Sequence, residues 1–274
     1  MDNTFITEPK FASRMRSMLK LDFYRLFHTP AFYIMLFIAA MIPALLLSTA
    51  GMDPAGSVTA PTVNSATITA PPAQASSSLE ITNVWQLVES KGGSAIAENP
   101  LDFSGFANIN MIFIFAGLLM AIFVAHDYSS GFVKNIFTVH SKKIDYVISK
   151  SAAGIFSGIG MIFTYVIGAV VAGLITGKDF DVEITGLVLC LLSKMLLMVV
   201  FCSLFLIVAV FFRNKLWLTI IFTFLLGMVL YPAASVATLS ATAITILIAL
   251  IAGVIGAIAF GSISTLILKK RDLA

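Results

Sequence analysis

The sequence predicts an all-α membrane protein with six transmembrane helices and both termini on the cytoplasmic side. Three observations carry that expectation: composition, the length of the apolar runs, and the placement of the cations. Hydrophobic residues make up 59% of the 274 positions and charged residues 11%, where soluble domains carry about a quarter charged residues. The apolar residues lie in long unbroken runs that match the roughly 20 residues a helix needs to cross about 30 Å of hydrocarbon. Membrane strands would alternate lipid-facing and lumen-facing residues, and these runs do not.

The first element is an N-terminal helix over 11–28. At about 100° per residue, Phe11, Met15, Met18, Leu19, Phe23 and Leu26 gather on one side, and Ser13, Arg16, Ser17, Lys20 and Tyr24 on the other. Such a helix lies in the headgroup plane, with Arg14, Arg16, Lys20 and Arg25 as its cations. Asp22 falls inside the apolar arc, where it can reach Arg25 at i+3 or a partner across an interface. The first crossing, Phe32 to Thr49, reads as a retained anchor because the segment before it is too long and too charged for a signal peptide.

A large outer loop follows, over 50–108. Its first half is rich in Pro, Ser, Thr and Ala and is expected to be mobile. Its second half predicts a short helix near 78–91: Ser77 and Glu80 form a capping box, and Ile81, Val84, Trp85 and Val88 recur at helical spacing until Gly92 and Gly93. Trp85 is a candidate for the substrate path. A stabilising lid is the plainer reading of the same helix.

The remaining crossings are Ile109 to Ala125, Ala152 to Thr176, Gly186 to Phe212, Leu216 to Tyr231 and Ala243 to Leu268. Pro232 need not end the fifth, since neighbouring helices can satisfy a freed carbonyl. Cys190 and Cys202 share one crossing about 18 Å apart by the helical rise, too far to bridge, and read as apolar packing residues. Lys194 lies inside the fourth run, either lining a cavity or snorkelling to an interface. Gly154 and Gly158, and Gly253 and Gly261 with Ala249 and Ala257, form small-residue stripes suited to close helix packing. No internal repeat of fixed period is visible.

Orientation follows from the cations. Of 17 Lys and Arg residues, fourteen fall in the N-terminal segment, the second-to-third loop, the fourth-to-fifth turn and the C-terminal tail; only Lys91 and Lys178 fall in the opposite loops. The rich side is cytoplasmic by the positive-inside rule.

Between the second and third crossings runs HDYSSGFVKNIFTVHSKKIDYVISK, from His126 to Lys150. Asp127 ends the helix, Ser129, Ser130 and Gly131 make a turn, and Val133, Ile136, Phe137 and His140 suggest a short amphipathic piece. A short helix held between two membrane helices offers a soluble partner a grip on both.

This layout resembles the permease subunits of ABC-2-type transporters. In those, the second crossing ends in an acidic residue followed by a stretch shaped like E-x-x-x-G-T, with S-K at the third crossing. Here Asp127, Gly131, Ser149 and Lys150 occupy those places, and Phe132 stands where Thr is common. Lys269, Lys270, Arg271, Asp272 and Leu273 resemble the family's tail. The resemblance implies a single permease domain over 1–274 with a cytoplasmic coupling segment over 127–150. It implies a second permease subunit, identical or homologous, and two cytoplasmic ATPase subunits that bind ATP and Mg. It also implies a multi-pass protein of a prokaryotic plasma membrane that exports a hydrophobic or amphiphilic substrate, a peptide or bacteriocin among them.

The chain itself has no G-x-x-x-x-G-K-[ST]; GLITGK, from Gly173 to Lys178, has the wrong spacing. No metal-ligating or catalytic constellation stands out, and no nucleic-acid partner is expected. A non-transporting sensor or assembly partner, or a secondary transporter, is the alternative; a membrane enzyme comes third.

Overall fold

The computed structural model of the chain describes residues 11–50, 83–89, 109–138, 142–181, 184–212, 215–239 and 243–271. Its elements are α1 (Phe11–His28), α2 (Pro30–Ala50), α3 (Trp85–Glu89), α4 (Met111–Ser129), α5 (Phe132–Thr138), α6 (Lys143–Thr176), α7 (Ile184–Phe211), α8 (Leu216–Leu239) and α9 (Ala243–Arg271). Among the described residues, β pairing is confined to one isolated bridge between Asn83 and Asp179. Helices α2, α4, α6, α7 and α9 are long and apolar enough to cross a membrane, and Leu216–Leu230 of α8 is a shorter apolar stretch. The chain is an all-α, multi-pass membrane protein.

Its exposed surface reads as a membrane protein's does. On α2, Phe32, Ala39, Pro43 and Leu47 are buried while Tyr33, Phe37, Met41 and Leu45 are exposed. Both stripes are apolar, so water is not the solvent that sorts them. The core centres on α4, whose Ile112, Ala116, Leu119, Met120 and Phe123 are buried against α6, α7 and α8.

The helix boundaries have local causes. Pro30 supplies no N–H to continue α1, so the chain breaks at Thr29 and restarts as α2 with Pro in its first turn. After α4, Gly131 takes a left-handed φ of 72° that other residues resist, and the chain turns at once into α5. Gly177, with φ 64°, caps α6, and the Lys178 N–H donates to the Gly173 carbonyl at 3.1 Å. The GLITGK string is therefore a helix terminus. At 34 residues, α6 is about 51 Å long, so part of it stands outside about 30 Å of hydrocarbon. The helix of α8 continues through Pro232 to Leu239.

Several expected boundaries shift. The helix that carries the third apolar run starts at Lys143, ahead of Ala152, because the intervening charges are helical and paired. The outer helix starts at Trp85, since Asn83 and Val84 are not helical and the Asn83 side chain accepts the Trp85 N–H at 3.0 Å. Ser77, Glu80, Ile81, Gly92 and Gly93 lie outside the described residues, as does most of the 50–108 loop.

Of the predicted packing glycines, Gly154 and Gly158 are the tight ones. A Cβ on Gly154 would strike the Met120 sulfur, and one on Gly158 would lie 2.5 Å from the Met198 sulfur. Gly253 and Gly261 are looser, with nearest atoms at 3.5 and 3.9 Å. The tightest approach to backbone is at Gly168, which sequence reading passed over: a Cβ there would collide with the Ala40 carbonyl of α2. Backbone cannot rotate away as a Met side chain can. Gly168→Ala is therefore expected to destabilise the bundle by about 1–3 kcal/mol, and Gly154→Ala by less. Thermal unfolding in mild detergent checks the order.

Candidate functional site

At the lysine-rich end of the bundle, α1, α4 and α6 are joined through buried charge. Three acidic residues sit there: Asp22 within α1, Asp127 in the last turn of α4 and Asp145 in the first turn of α6. All three are buried, a position a carboxylate holds only when paired.

Lys150, itself fully buried, lies between two of them. Its Nζ is 2.7 Å from Asp22 Oδ1 and 2.6 Å from Asp127 Oδ2. Ser149 Oγ donates to Asp22 Oδ2 at 2.5 Å, and the Tyr146 hydroxyl donates to Asp127 Oδ2 at 3.2 Å. Arg25 completes the set, with Nη1 2.6 Å from Asp127 Oδ1. Two carboxylates thus face two cations. The Lys150 ammonium also lies 3.7 Å from the centre of the Phe123 ring, which adds cation–π attraction where water is excluded. One turn earlier, Arg14 Nε donates to Asp145 Oδ2 at 3.0 Å, a second pin between α1 and α6.

The N-terminal helix therefore divides its cations. Arg14 and Arg25 turn inward to acids, while Arg16 and Lys20 remain exposed with Ser13 and Ser17. Asp22 bonds across the interface to Ser149 and Lys150; Arg25 at i+3 bonds to Asp127 instead.

Helix α5 rests on this junction. Phe132 lies over the Arg25 guanidinium at 3.8 Å, and Phe137 meets the Tyr146 ring edge-on with centroids 5.9 Å apart. Val133 is buried, and Ile136 and Phe137 pack with it against Tyr146 and Val147. The apolar residues of the expected coupling piece thus face the bundle, where Tyr146 and Val147 give them an apolar seat. The face left outward carries Lys134, Asn135 and Thr138. His140 lies outside the described residues.

At the other end, Trp85 and Lys194 have separate partners. The Trp85 indole donates to the Phe180 carbonyl at 3.1 Å, and its ring meets Phe180 edge-on. Together with the Asn83–Asp179 bridge, this clasps α3 to the connection between α6 and α7. Val84, Leu87 and Val88 are buried beneath it. Trp85→Phe keeps the ring and loses the N–H, and is expected to cost about 0.5–1.5 kcal/mol of stability, read as a lowered unfolding midpoint. Lys194 is buried, and its Nζ donates to Asn110 Oδ1 at 3.1 Å. The Lys194 ammonium is thus enclosed by the protein, with Asn110 as its partner. Cys190 and Cys202 are buried and unbridged.

Sequence reading placed Asp127, Ser149 and Lys150 by motif and did not see that Lys150 pairs with Asp127, or that Ser149 and Lys150 both bond Asp22. Tyr146 and Asp145 were missed altogether. A usable signal was present: Asp127 and Asp145 at the ends of apolar helices on the basic side, and Asp22 within the apolar arc of α1, where an unpaired carboxylate has no reason to stand.

Comparisons with family models, with curated proteins and with solved structures find no match to this chain.

Proposed function

We propose that the chain is the permease subunit of an ATP-driven exporter of the ABC-2 type. In this reading six helices cross the plasma membrane of a prokaryote, both termini are cytoplasmic, and a second permease, identical or homologous, completes the pathway. Two soluble ATPase subunits bind ATP and Mg beneath it. The substrate is hydrophobic or amphiphilic, with peptides as the leading class. Fourteen cations on one side of the predicted topology support the orientation.

The observation that carries the proposal is the mounting of α5. It is a short helix whose apolar face is anchored on a buried charge junction and whose polar face is free. Force applied to the free face reaches α4 through the turn at Gly131, α6 through Phe137 and Tyr146, and α1 through Phe132 and Arg25. Buried ion pairs resist separation, so the three helices move as one body. That is what an ATPase subunit needs to convert its closure into a rearrangement of membrane helices.

Purification in mild detergent with the products of neighbouring genes, followed by mass measurement of the intact complex, tests the proposal. A complex of two permeases and two ATPase chains is expected. Absence of any ATP-hydrolysing partner, in a preparation that retains the folded chain, contradicts it.

A further inference from the structure

Helices α6 and α9 meet at the lysine-rich end and leave a groove between them, floored by Ser203 of α7, with a volume of about 660 Å³. Ile148 and Ile155 line one wall, and Ile258 and Leu266 the other. Most of its polar groups are already satisfied. The hydroxyls of Ser203, Ser262 and Thr265 donate to carbonyls of their own helices, at 2.8, 2.7 and 2.8 Å. The groove therefore presents a hydrocarbon lining. Along α6 it extends from Ile144 to Ile155, about 16 Å by the helical rise, close to half of the roughly 30 Å hydrocarbon thickness. That is the length of an acyl chain in one leaflet.

The mouth of the groove is cationic. Lys143 Nζ donates to the Leu268 carbonyl at 3.2 Å and ties α6 to α9 there. Its sequence neighbour Lys142 is exposed, as are Lys269 and Lys270, which follow Leu268. Asp145, on the same turn of α6, is buried and paired with Arg14, so it does not offset them. An apolar slot of leaflet depth that ends in exposed lysines matches one ligand chemistry: a phospholipid with an anionic headgroup, its chain in the slot and its phosphate among the cations. The geometry points to a bound anionic phospholipid at this site, held whether or not the chain transports anything.

The test uses the full-length chain, equilibrated in mild detergent with equal amounts of phosphatidylglycerol and phosphatidylcholine and weighed intact by native mass spectrometry. The expected result is retention of phosphatidylglycerol over phosphatidylcholine by at least about tenfold, a free-energy difference of about 1.4 kcal/mol. Ala257→Phe, which fills the slot, is expected to remove most of that retention. Combined Lys142→Gln, Lys269→Gln and Lys270→Gln is expected to abolish the preference for the anionic lipid.

A second arm needs no core change. A fluorophore on Ile258→Cys, at an exposed position, should be quenched more strongly by chain-brominated phosphatidylglycerol than by chain-brominated phosphatidylcholine. Equal quenching by the two lipids overturns the inference, as does equal retention by the native chain and the filled-slot variant. Efficient disulfide formation between Ile258→Cys residues of two copies in membranes also overturns it, because a second copy would then occupy the groove.

Discussion

Lys150→Met is expected to lower the stability of the folded chain by about 3–5 kcal/mol, the range for removing one partner from a buried pair. The ammonium is fully buried and bridges Asp22 and Asp127. Without it, Asp127 retains Arg25, but Asp22 is left with only the Ser149 hydroxyl. The cost comes from an uncompensated carboxylate more than from a lost attraction. Removing that carboxylate as well should therefore restore much of the stability. The double variant Asp22→Asn with Lys150→Met is expected to recover more than about half of the loss, because whole buried pairs can be replaced at little cost. Thermal unfolding followed by circular dichroism in mild detergent reads both variants, together with Asp22→Asn alone. Additive losses would show that Asp22 and Lys150 do not depend on each other.

The second large effect is functional and follows from which way α5 faces. Lys134→Glu, alone or with Thr138→Glu, changes only exposed residues, so insertion and unfolding midpoint should be unchanged. If the outward face meets an ATPase subunit, reversing its charge should reduce ATP-driven transport by on the order of tenfold, equivalent to about 1.4 kcal/mol at the contact. Phe137→Asp should also abolish transport, but by another route. Its ring packs on Tyr146, so a carboxylate there disturbs the seat of α5 and lowers stability. Transport and unfolding measured side by side separate the two. A Lys134→Glu chain that transports normally would remove the outward face from the mechanism.

The membrane helices were legible because hydrocarbon thickness dictates a minimum apolar run, and composition alone supplies that signal. Their ends were not. The first turns of α6 look like a basic loop in sequence, since Lys143, Asp145 and Lys150 are charged; in the structure each finds a partner, so the helix continues through them. Pairing at a distance of 128 positions, as between Asp22 and Lys150, leaves no local trace. The same holds for Lys194, whose partner Asn110 lies 84 positions away.

Motif resemblance pointed to the segment that holds the candidate site and left open which way its short helix faces. Val133, Ile136 and Phe137 make an amphipathic pattern, but periodicity cannot say whether the apolar face meets a partner or its own bundle. Here the bundle's Tyr146 and Val147 take it. Gly168 escaped notice although Gly160, Thr164, Gly168 and Ala172 recur at four-residue spacing, and the approach of Ala40 shows its role. At the outer helix, Val84 fits the helical spacing, yet it stands in the turn after the Asn83–Asp179 bridge, and the described helix begins at Trp85.

The most direct measurement is photo-crosslinking in intact cells from a residue introduced at Lys134, with Val133 as the inward-facing control. Identification of the adduct by mass spectrometry should find a nucleotide-hydrolysing soluble protein captured from position 134 and not from 133. Capture from neither position, with the chain folded in its membrane at native level, would contradict the assignment of α5 as the point where an ATPase takes hold.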